Sequence, residues 1–134
     1  MSFRYDVTVA WGDCDEAGIV FYPNYFYWFD SAFQALLRAR GLSQRSIRAR
    51  FGALGTPIVE AGAKFLGPVT YDDVLRIEAG VERWGAKSFR VAYRGFKEGR
   101  LVLEGFEARV WAVPGEAGGL KSAEIPAAFR TALS

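Results

Sequence analysis

The sequence predicts an α+β domain in which an antiparallel β-sheet wraps around one long central helix. Two observations lead to this prediction: one long apolar helical segment lies near the N-terminus, and four strand-like segments follow it, separated by short turns. Because helix and strands are grouped along the chain and do not alternate, the pattern is typical of α+β folds. The 134 residues suit a single domain, which we expect to span residues 1–134.

The N-terminal part supplies the first strand, a loop and the helix. Residues 3–11 alternate around β-forming residues and predict a strand. Residues 12–22 predict a loop, and Pro23 suits a first helical turn because its missing N–H has no partner to lose there. The helical pattern runs over residues 24–40, and Gly41 is placed to cap its C-terminus in the left-handed conformation.

The predicted helix is apolar over most of its circumference. Only Asp30, Gln34 and Arg38, spaced four apart, form a narrow polar stripe. We therefore expect a central core helix with little room for water on any side. Part of its surface, or of the sheet edge, is then available to close against another subunit. An aromatic-rich helix lying on a membrane is the alternative, but such helices carry a basic polar face that this one lacks.

The rest of the chain predicts a short helix and the main strands. Residues 42–51 predict a helix capped by Ser43. Its arginines are interpreted as a solvated face, because no aromatic residues interleave them as nucleic-acid binding would need. Short connections between the later segments predict antiparallel neighbours. The predicted strands are 56–67, 74–84, 87–97, 101–113 and a short 120–125, before a helical tail from Pro126. The last long strand places Phe106, Ala108, Val110 and Ala112 in step.

The composition restricts the possible chemistry. The chain has no histidine and one cysteine, which excludes Ser-His-Asp and Cys-His catalysis and argues against a transition-metal site. A carboxylate, Lys, Tyr or Arg must then do the proton or nucleophile work. The single cysteine and the lack of a secretory signal predict a cytoplasmic location. A net charge of +2 does not argue for nucleic acid, and no apolar run is long enough to cross a membrane.

The candidate chemistry lies in the loop between the first strand and the helix. Acidic residues and glycines there precede a helix start, where unpaired N–H groups and a partial positive charge suit a developing oxyanion. Asp15 is the candidate working carboxylate, and turn stabilisation is the alternative role for it. Asp13 is expected to orient the loop through local hydrogen bonds. Cys14 lies between two acids, so we do not expect a thiolate nucleophile there.

Residues 12–25, Gly-Asp-Cys-Asp-Glu-Ala-Gly-Ile-Val-Phe-Tyr-Pro-Asn-Tyr, resemble the signature of the 4-hydroxybenzoyl-CoA thioesterase family. The resemblance continues through residues 28–30, 55–59, 71–75 and 87–89 and so covers nearly the whole chain. It implies the hotdog fold, in which an antiparallel sheet surrounds one helix. It also implies a homodimer or tetramer of dimers with active sites at the subunit interface. Coenzyme A would be part of the substrate, and no cofactor or metal is implied.

The resemblance assigns roles to five residues. Asp15, the second acid of the Gly-Asp-Cys-Asp run, matches the catalytic carboxylate, and the backbone N–H of Tyr22 is expected to polarise the thioester carbonyl. Asp30 matches the position that meets a substrate ring hydroxyl, and Thr56 matches a nearby pocket residue. The 4-hydroxybenzoyl enzyme of this type has an Arg-Arg-Lys turn before Ser-Phe. Here only Lys87 remains of it, as a point charge for a phosphate of coenzyme A.

We therefore expect hydrolysis of an aromatic, 4-hydroxybenzoyl-like, or short-chain acyl-CoA. Asp15 acts either as a nucleophile or as a general base, and the sequence leaves both open. The alternative function is a non-catalytic acyl-CoA or fatty-acyl binding module on the same fold. An enoyl-type hydratase is disfavoured because such sites generally use histidine. Two residues also keep alternatives: Asp30 as an exposed or subunit-contact residue, and Lys87 as a solvated turn residue.

Overall fold

The computed structural model describes residues 2–134. The strands are β1 (Phe3–Thr8), β2 (Ile58–Phe65), β3 (Val74–Trp84), β4 (Ser88–Lys97), β5 (Arg100–Val110), β6 (Ala112–Pro114) and β7 (Leu120–Ser122). The α-helices are α1 (Pro23–Ala39), α2 (Gln44–Phe51) and α3 (Ala127–Leu133). The predicted α+β architecture is confirmed. None of the described helices is long and apolar enough to cross a membrane.

Five strands form one antiparallel sheet in the order β1-β3-β4-β5-β2, and β6 pairs with β7 in a small second sheet. The hairpin between β4 and β5 turns at Glu98 and Gly99, both with positive φ, as a two-residue type I′ turn requires. Because β1 and β2 each pair on one side only within this chain, they are the edges of the large sheet. The edge strand β2 leaves Ile58, Val59 and Phe65 exposed.

The long helix α1 packs against one face of the sheet. Its buried side chains recur at helical spacing and belong to the core: Tyr25, Trp28, Phe29, Ala32, Phe33, Leu36 and Leu37. Phe29 stacks on Tyr93 of β4 with ring centroids 4.5 Å apart. This close approach requires glycine at position 105 of β5, since a Cβ there would lie 2.4 Å from the Phe29 ring.

The predicted helix termini are confirmed. Pro23 begins α1, and Gly41 follows its last turn with φ +74°. The hydroxyl of Ser43 accepts a hydrogen bond from the Ser46 N–H at 3.1 Å and caps α2. Gly52 ends α2 in the left-handed conformation.

The predicted strand over residues 3–11 is too long. β1 ends at Thr8, and residues Trp11–Asp13 form a turn of 3₁₀-helix. The Asp13 carboxylate accepts a hydrogen bond from the Ala10 N–H at 2.8 Å, which closes this turn and directs the chain away from the sheet. The predicted strand over residues 101–113 likewise divides into β5 and β6.

The expectation that α1 leaves little room for water on any side is wrong. Tyr27 is 71% exposed and Arg38 is also exposed, so one side of the helix lies open in the single chain. Asp30 and Gln34, which belong to the predicted polar stripe, are instead half-buried. The polar stripe therefore has two parts. Arg38 is exposed, whereas Asp30 and Gln34 lie on the side of α1 that approaches β5.

Strand β5 buries charge. Phe106 and Ala108 share a face, as their spacing predicted, but it is the outer face of the sheet. Glu107 and Arg109 point toward α1, where they are 1% and 3% exposed. Two charged side chains are tolerated there because they pair with each other, with 2.8 Å between Arg109 Nη2 and Glu107 Oε1.

Candidate active site

The loop before α1 is held mainly by backbone hydrogen bonds. The Asp15 N–H donates to the Ile19 carbonyl at 3.1 Å, and the Gly18 N–H donates to the Asp15 carbonyl at 2.9 Å. Gly18 has φ +82°, which lets the chain reverse tightly. The Val20 N–H then donates to the Val69 carbonyl at 2.8 Å and ties the loop to the segment that leads into β3.

Asp15 lies on the outside of this loop. One carboxylate oxygen, Oδ1, accepts a hydrogen bond from the Ala17 N–H at 2.9 Å, which is the turn contact proposed as its alternative role. The other oxygen, Oδ2, has no hydrogen-bond donor among residues 2–134, and the side chain is exposed. The same carboxylate thus stabilises the turn through one oxygen and leaves the other available to react.

Asp13 orients the loop, as predicted. Its carboxylate binds the Ala10 N–H. Its carbonyl accepts hydrogen bonds from the Phe21 N–H and from the side-chain amide of Asn24, both at 2.8 Å. The contacts of Asp13 are all local, and they fix the path of the chain into α1.

Tyr22 presents an unused N–H at the start of α1. The Asn24 N–H donates to the Phe21 carbonyl, and the Tyr25 N–H donates to the Tyr22 carbonyl. Pro23 has no N–H. The N–H of Tyr22 finds no acceptor within the described part of the chain, so it is a donor at the positive end of the helix dipole. The Asp15 loop is tied to the same helix start by the hydrogen bond from the Phe21 N–H to the Asp13 carbonyl.

The structure brings Asp30 and Thr56 together through Arg109. The Asp30 Oδ1 atom accepts hydrogen bonds from Arg109 Nη2 at 2.7 Å and from Gln34 Nε2 at 3.1 Å. The carbonyl of Thr56 accepts one from Arg109 Nη1 at 2.9 Å, and the Thr56 hydroxyl accepts one from Gln44 Nε2 at 3.1 Å. Thr56 is buried, whereas the side chain of Asp30 is 48% exposed.

Arg109 and Glu107 form the buried part of this network. Arg109 Nε and Nη2 donate to Glu107 Oε1, which also accepts the Tyr93 hydroxyl at 2.5 Å. Burial alone would lower the pKa of Arg109, but Glu107 and Asp30 raise it, so the guanidinium stays charged. Burial raises the pKa of Glu107 against the opposing effect of Arg109, and burial beside Glu107 holds the pKa of Tyr93 well above its ordinary value.

A depression of about 330 Å³ opens over this network. Its polar lining is Gln34, Gln44, Thr56 and Arg109, and its apolar lining includes Pro57 and Leu120. A mostly apolar wall with a few converging polar groups is typical of small-molecule sites.

Lys87 does not approach Asp15 in this chain. The Asp15 loop contacts the segment before β3, where the Thr70 hydroxyl donates to the Gly18 carbonyl at 2.5 Å. Lys87 is exposed in the turn after β3. Since β3 has 11 residues, roughly 35 Å of strand separates the two. Lys87 instead lies near the other end of the network, where its carbonyl accepts a hydrogen bond from the Trp111 N–H at 2.9 Å.

Three residues of the network were not predicted from the sequence: Tyr93, Glu107 and Arg109. One signal for them is present. Glu107 and Arg109 are two residues apart in a strand, so they share a face, and opposite charges on one face of a central strand indicate a buried ion pair. The prediction instead followed the alternating apolar residues Phe106, Ala108 and Val110, which lie on the opposite face of the strand.

The chain is similar to known thioesterases over its whole length. The model of the thioesterase-like superfamily matches residues 9–133. A 4-hydroxybenzoyl-CoA thioesterase of Pseudomonas sp. (strain CBS-3) is 36% identical over 96% of this chain and 94% of its own length. An aspartate-to-asparagine mutant of a 4-hydroxybenzoyl CoA thioesterase, solved with 4-hydroxybenzoyl CoA, matches with a TM-score of 0.87, 36% identity and 99% coverage of both chains. A gentisyl-coenzyme A thioesterase matches with a TM-score of 0.85 and 34% identity, over 98% of this chain and 100% of that one.

These similarities agree with the loop motif and with the sheet that surrounds α1. They confirm the predicted family, the predicted hotdog fold and, at the level of the family, the predicted class of thioester hydrolases. The chain belongs to the thioesterase-like superfamily.

Proposed function

We propose that this protein hydrolyses the thioester of an aromatic, 4-hydroxybenzoyl-like acyl-CoA, with Asp15 as the working carboxylate. The observation that carries the proposal is that a carboxylate oxygen of Asp15, in the loop before α1, and the N–H of Tyr22, at the start of α1, both lack hydrogen-bond partners among residues 2–134. The relatives named for 4-hydroxybenzoyl-CoA and gentisyl-coenzyme A support the aromatic acyl class.

The chemistry needs no histidine. The Tyr22 N–H stabilises the oxyanion that forms when the thioester carbonyl is attacked. Asp15 either attacks the carbonyl carbon itself, giving an anhydride that water then opens, or removes a proton from the attacking water. In both routes the carbon–sulfur bond breaks, and the thiolate of coenzyme A leaves without help from a strong acid. Coenzyme A enters as part of the substrate, and the proposal invokes no cofactor.

The complete site requires two copies of the chain. Asp30 follows Tyr22 by eight residues, which places it about 12 Å farther along α1, and Lys87 lies near the opposite end of the sheet. An acyl group with one hydroxylated aryl ring is too short to reach from the Tyr22 N–H to Asp30 of the same chain. In a two-fold dimer with antiparallel α1 helices, the Asp15 loop of one copy meets Asp30, at the middle of α1, of the other.

Exposed apolar side chains support such a dimer. Tyr22 is 58% exposed and packs edge-on against Phe65 of β2, which is itself 51% exposed. Val59 on the same edge strand is 64% exposed. Exposed apolar side chains grouped along one sheet edge are typical of an interface. Within the shared site, Asp30 and Thr56 would bind the acyl group and Lys87 a phosphate of coenzyme A.

The test measures thiol release from 4-hydroxybenzoyl-CoA, benzoyl-CoA and a short aliphatic acyl-CoA. Wild type is expected to release thiol from the aromatic substrates, and Asp15→Asn to lose about 10²–10⁴ in kcat. Asp13→Asn is the matched control, because an amide oxygen at position 13 still accepts the Ala10 N–H. Circular dichroism checks that each variant keeps its fold.

Two results would contradict the proposal. Near-full turnover in Asp15→Asn removes the carboxylate from the mechanism. Binding of 4-hydroxybenzoyl-CoA without thiol release by the wild-type protein identifies the chain as the non-catalytic binding module instead.

A further inference from the structure

We propose that Arg109 is a positioning residue that sets substrate specificity: it holds one carboxylate oxygen of Asp30 so that the other accepts a hydrogen bond from a ring hydroxyl of the acyl group. The inference deepens the proposed function and rests on it. What is new is the device behind Asp30, formed by Arg109 with its buried partners Glu107 and Tyr93.

The two oxygens of Asp30 have different surroundings. Oδ1 accepts hydrogen bonds from both Arg109 and Gln34, at 2.7 and 3.1 Å. Oδ2 has no donor among residues 2–134. The side chain is about half exposed, beside the depression that Gln34 and Arg109 line. The carboxylate is therefore fixed through one oxygen and offers the other as an oriented acceptor.

Arg109 is itself rigidly held. Its three guanidinium nitrogens donate to Glu107, to the Thr56 carbonyl and to Asp30. The plane of the group lies over the Phe33 ring, with 4.1 Å from Cζ to the ring centroid. A lysine at this position cannot reproduce the planar fork that reaches all three partners at once.

Glu107 and Tyr93 supply the base of the device. Glu107 is 1% exposed and balances the charge of Arg109 inside the protein. The Tyr93 hydroxyl donates to the same Glu107 oxygen that accepts from Arg109, which fixes the orientation of that carboxylate. The buried charge of Arg109 is thus satisfied without Asp30, and its remaining Nη2 hydrogen is available to position Asp30.

The device favours hydroxylated rings. A ring without a hydroxyl displaces water from Asp30 Oδ2 and leaves a charged acceptor without a donor, which costs free energy. Hydrogen bonds to charged groups contribute about 1.5–3 kcal/mol, which corresponds to a preference of about 10- to 100-fold.

The experiment compares kcat/KM for 4-hydroxybenzoyl-CoA and benzoyl-CoA in wild type and Arg109→Lys. Wild type is expected to prefer the hydroxylated substrate by about 10- to 100-fold. Arg109→Lys is expected to lose most of this preference, because its kcat/KM falls about 10- to 100-fold more for 4-hydroxybenzoyl-CoA than for benzoyl-CoA. The matched control is Arg94→Lys, which changes an exposed arginine of the neighbouring strand that pairs with Glu78 on the outer face. It should leave both substrates unchanged.

A combined variant keeps the test valid if Arg109→Lys fails to fold. Arg109→Met, Glu107→Leu and Tyr93→Phe together remove the buried pair and its hydroxyl partner, and such apolar replacements are often neutral for stability. The combined variant should also lose the preference. In an Asp30→Asn background, Arg109→Lys should cause no further change in the ratio of the two kcat/KM values.

Three results would overturn the inference. If both substrates are affected equally and the preference survives, Arg109 has only a structural role. If wild type hydrolyses both substrates with equal kcat/KM, the device does not select hydroxyl groups, although the proposed hydrolysis stands. If wild type hydrolyses neither, the proposed function fails and the inference fails with it.

Discussion

The loop before α1 and the middle of α1 hold their carboxylates in opposite ways. At the N-terminal end of α1, Asp15 is exposed, and its carboxylate accepts a single hydrogen bond among residues 2–134, from the Ala17 N–H. Farther along, Asp30 is held by side chains that reach into the core, above all Arg109, which is 3% exposed. The first carboxylate is accessible at one oxygen, and the second is fixed in direction.

The two carboxylates differ in the two properties that a thioesterase site needs, access to the substrate and a fixed orientation. A reacting carboxylate needs access to the substrate carbon and gains a water-excluding environment only when a partner covers it. A residue that selects the acyl group needs a fixed orientation more than it needs access. In the proposed dimer, the exposed Asp15 of one copy lies beside the fixed Asp30 of the other.

The largest expected contrast is in stability. Arg109→Met leaves Glu107 buried without a cation and should lower the free energy of unfolding by about 3–5 kcal/mol. Asp15→Asn should change it by less than about 0.5 kcal/mol, because position 15 is exposed. Urea unfolding of both variants measures the difference. Equal losses of unfolding free energy in the two variants would contradict the distinction between the exposed Asp15 and the buried network behind Asp30.

A second prediction concerns the sheet beneath the middle of α1. Gly105→Ala places a methyl group 2.4 Å from the Phe29 ring and should cost about 1–3 kcal/mol through overpacking. Gly12→Ala, in the N-terminal loop, is the control because nothing lies within 4 Å of its added Cβ. Thermal unfolding should separate the two variants. An unchanged melting temperature for Gly105→Ala would mean that α1 is free to shift on the sheet.

The smallest expected effect is a pH-dependent one near the Asp15 loop. Asp73 forms an ion pair with Lys97 at 2.8 Å, and its carbonyl binds the Val9 N–H. Burial opposes ionisation of Asp73, but the hydrogen bonds from Lys97 and from the Thr70 N–H lower its pKa overall.

Because the folded pKa is lower, the ionised Asp73 stabilises the fold above the ordinary pKa of an aspartate, and this contribution disappears as the pH falls below about 4. Wild type should therefore exceed Asp73→Asn in melting temperature at pH 7, by an amount equivalent to less than about 1 kcal/mol. The two should converge at acidic pH. A difference that persists unchanged at low pH would assign the effect to packing.

Local sequence patterns predicted most of the fold and one end of the site. The order of elements, the Gly41 and Ser43 caps and the antiparallel sheet all depend on periodicity or on single residues, and the structure confirms them. The loop at residues 12–22 was predictable because its acids and glycines, and the start of the helix that follows them, are neighbours in the sequence.

The other end of the site was not predictable in the same way. The contact between Asp30 and Arg109 joins residues 79 positions apart, and no local pattern encodes it. The inward-facing charges of β5 are tolerated because Glu107 and Arg109 pair with each other and Tyr93, on a neighbouring strand, also donates to Glu107. The distance between Lys87 and Asp15 likewise depends on the length and direction of β3. The sequence motif of residues 12–25 carries no information about either.

Subunit complementation tests whether Asp15 and Asp30 of different copies share one site. Asp15→Asn and Asp30→Ala, each impaired alone on 4-hydroxybenzoyl-CoA, are refolded together in equal amounts, and thiol release is measured. In a mixed dimer, one site then carries both changes and the other carries neither. Recovery to about a quarter of the wild-type rate is expected, since half of the dimers are mixed and half of their sites are intact. A mixture no more active than the mean of the two variants would contradict a site shared between copies.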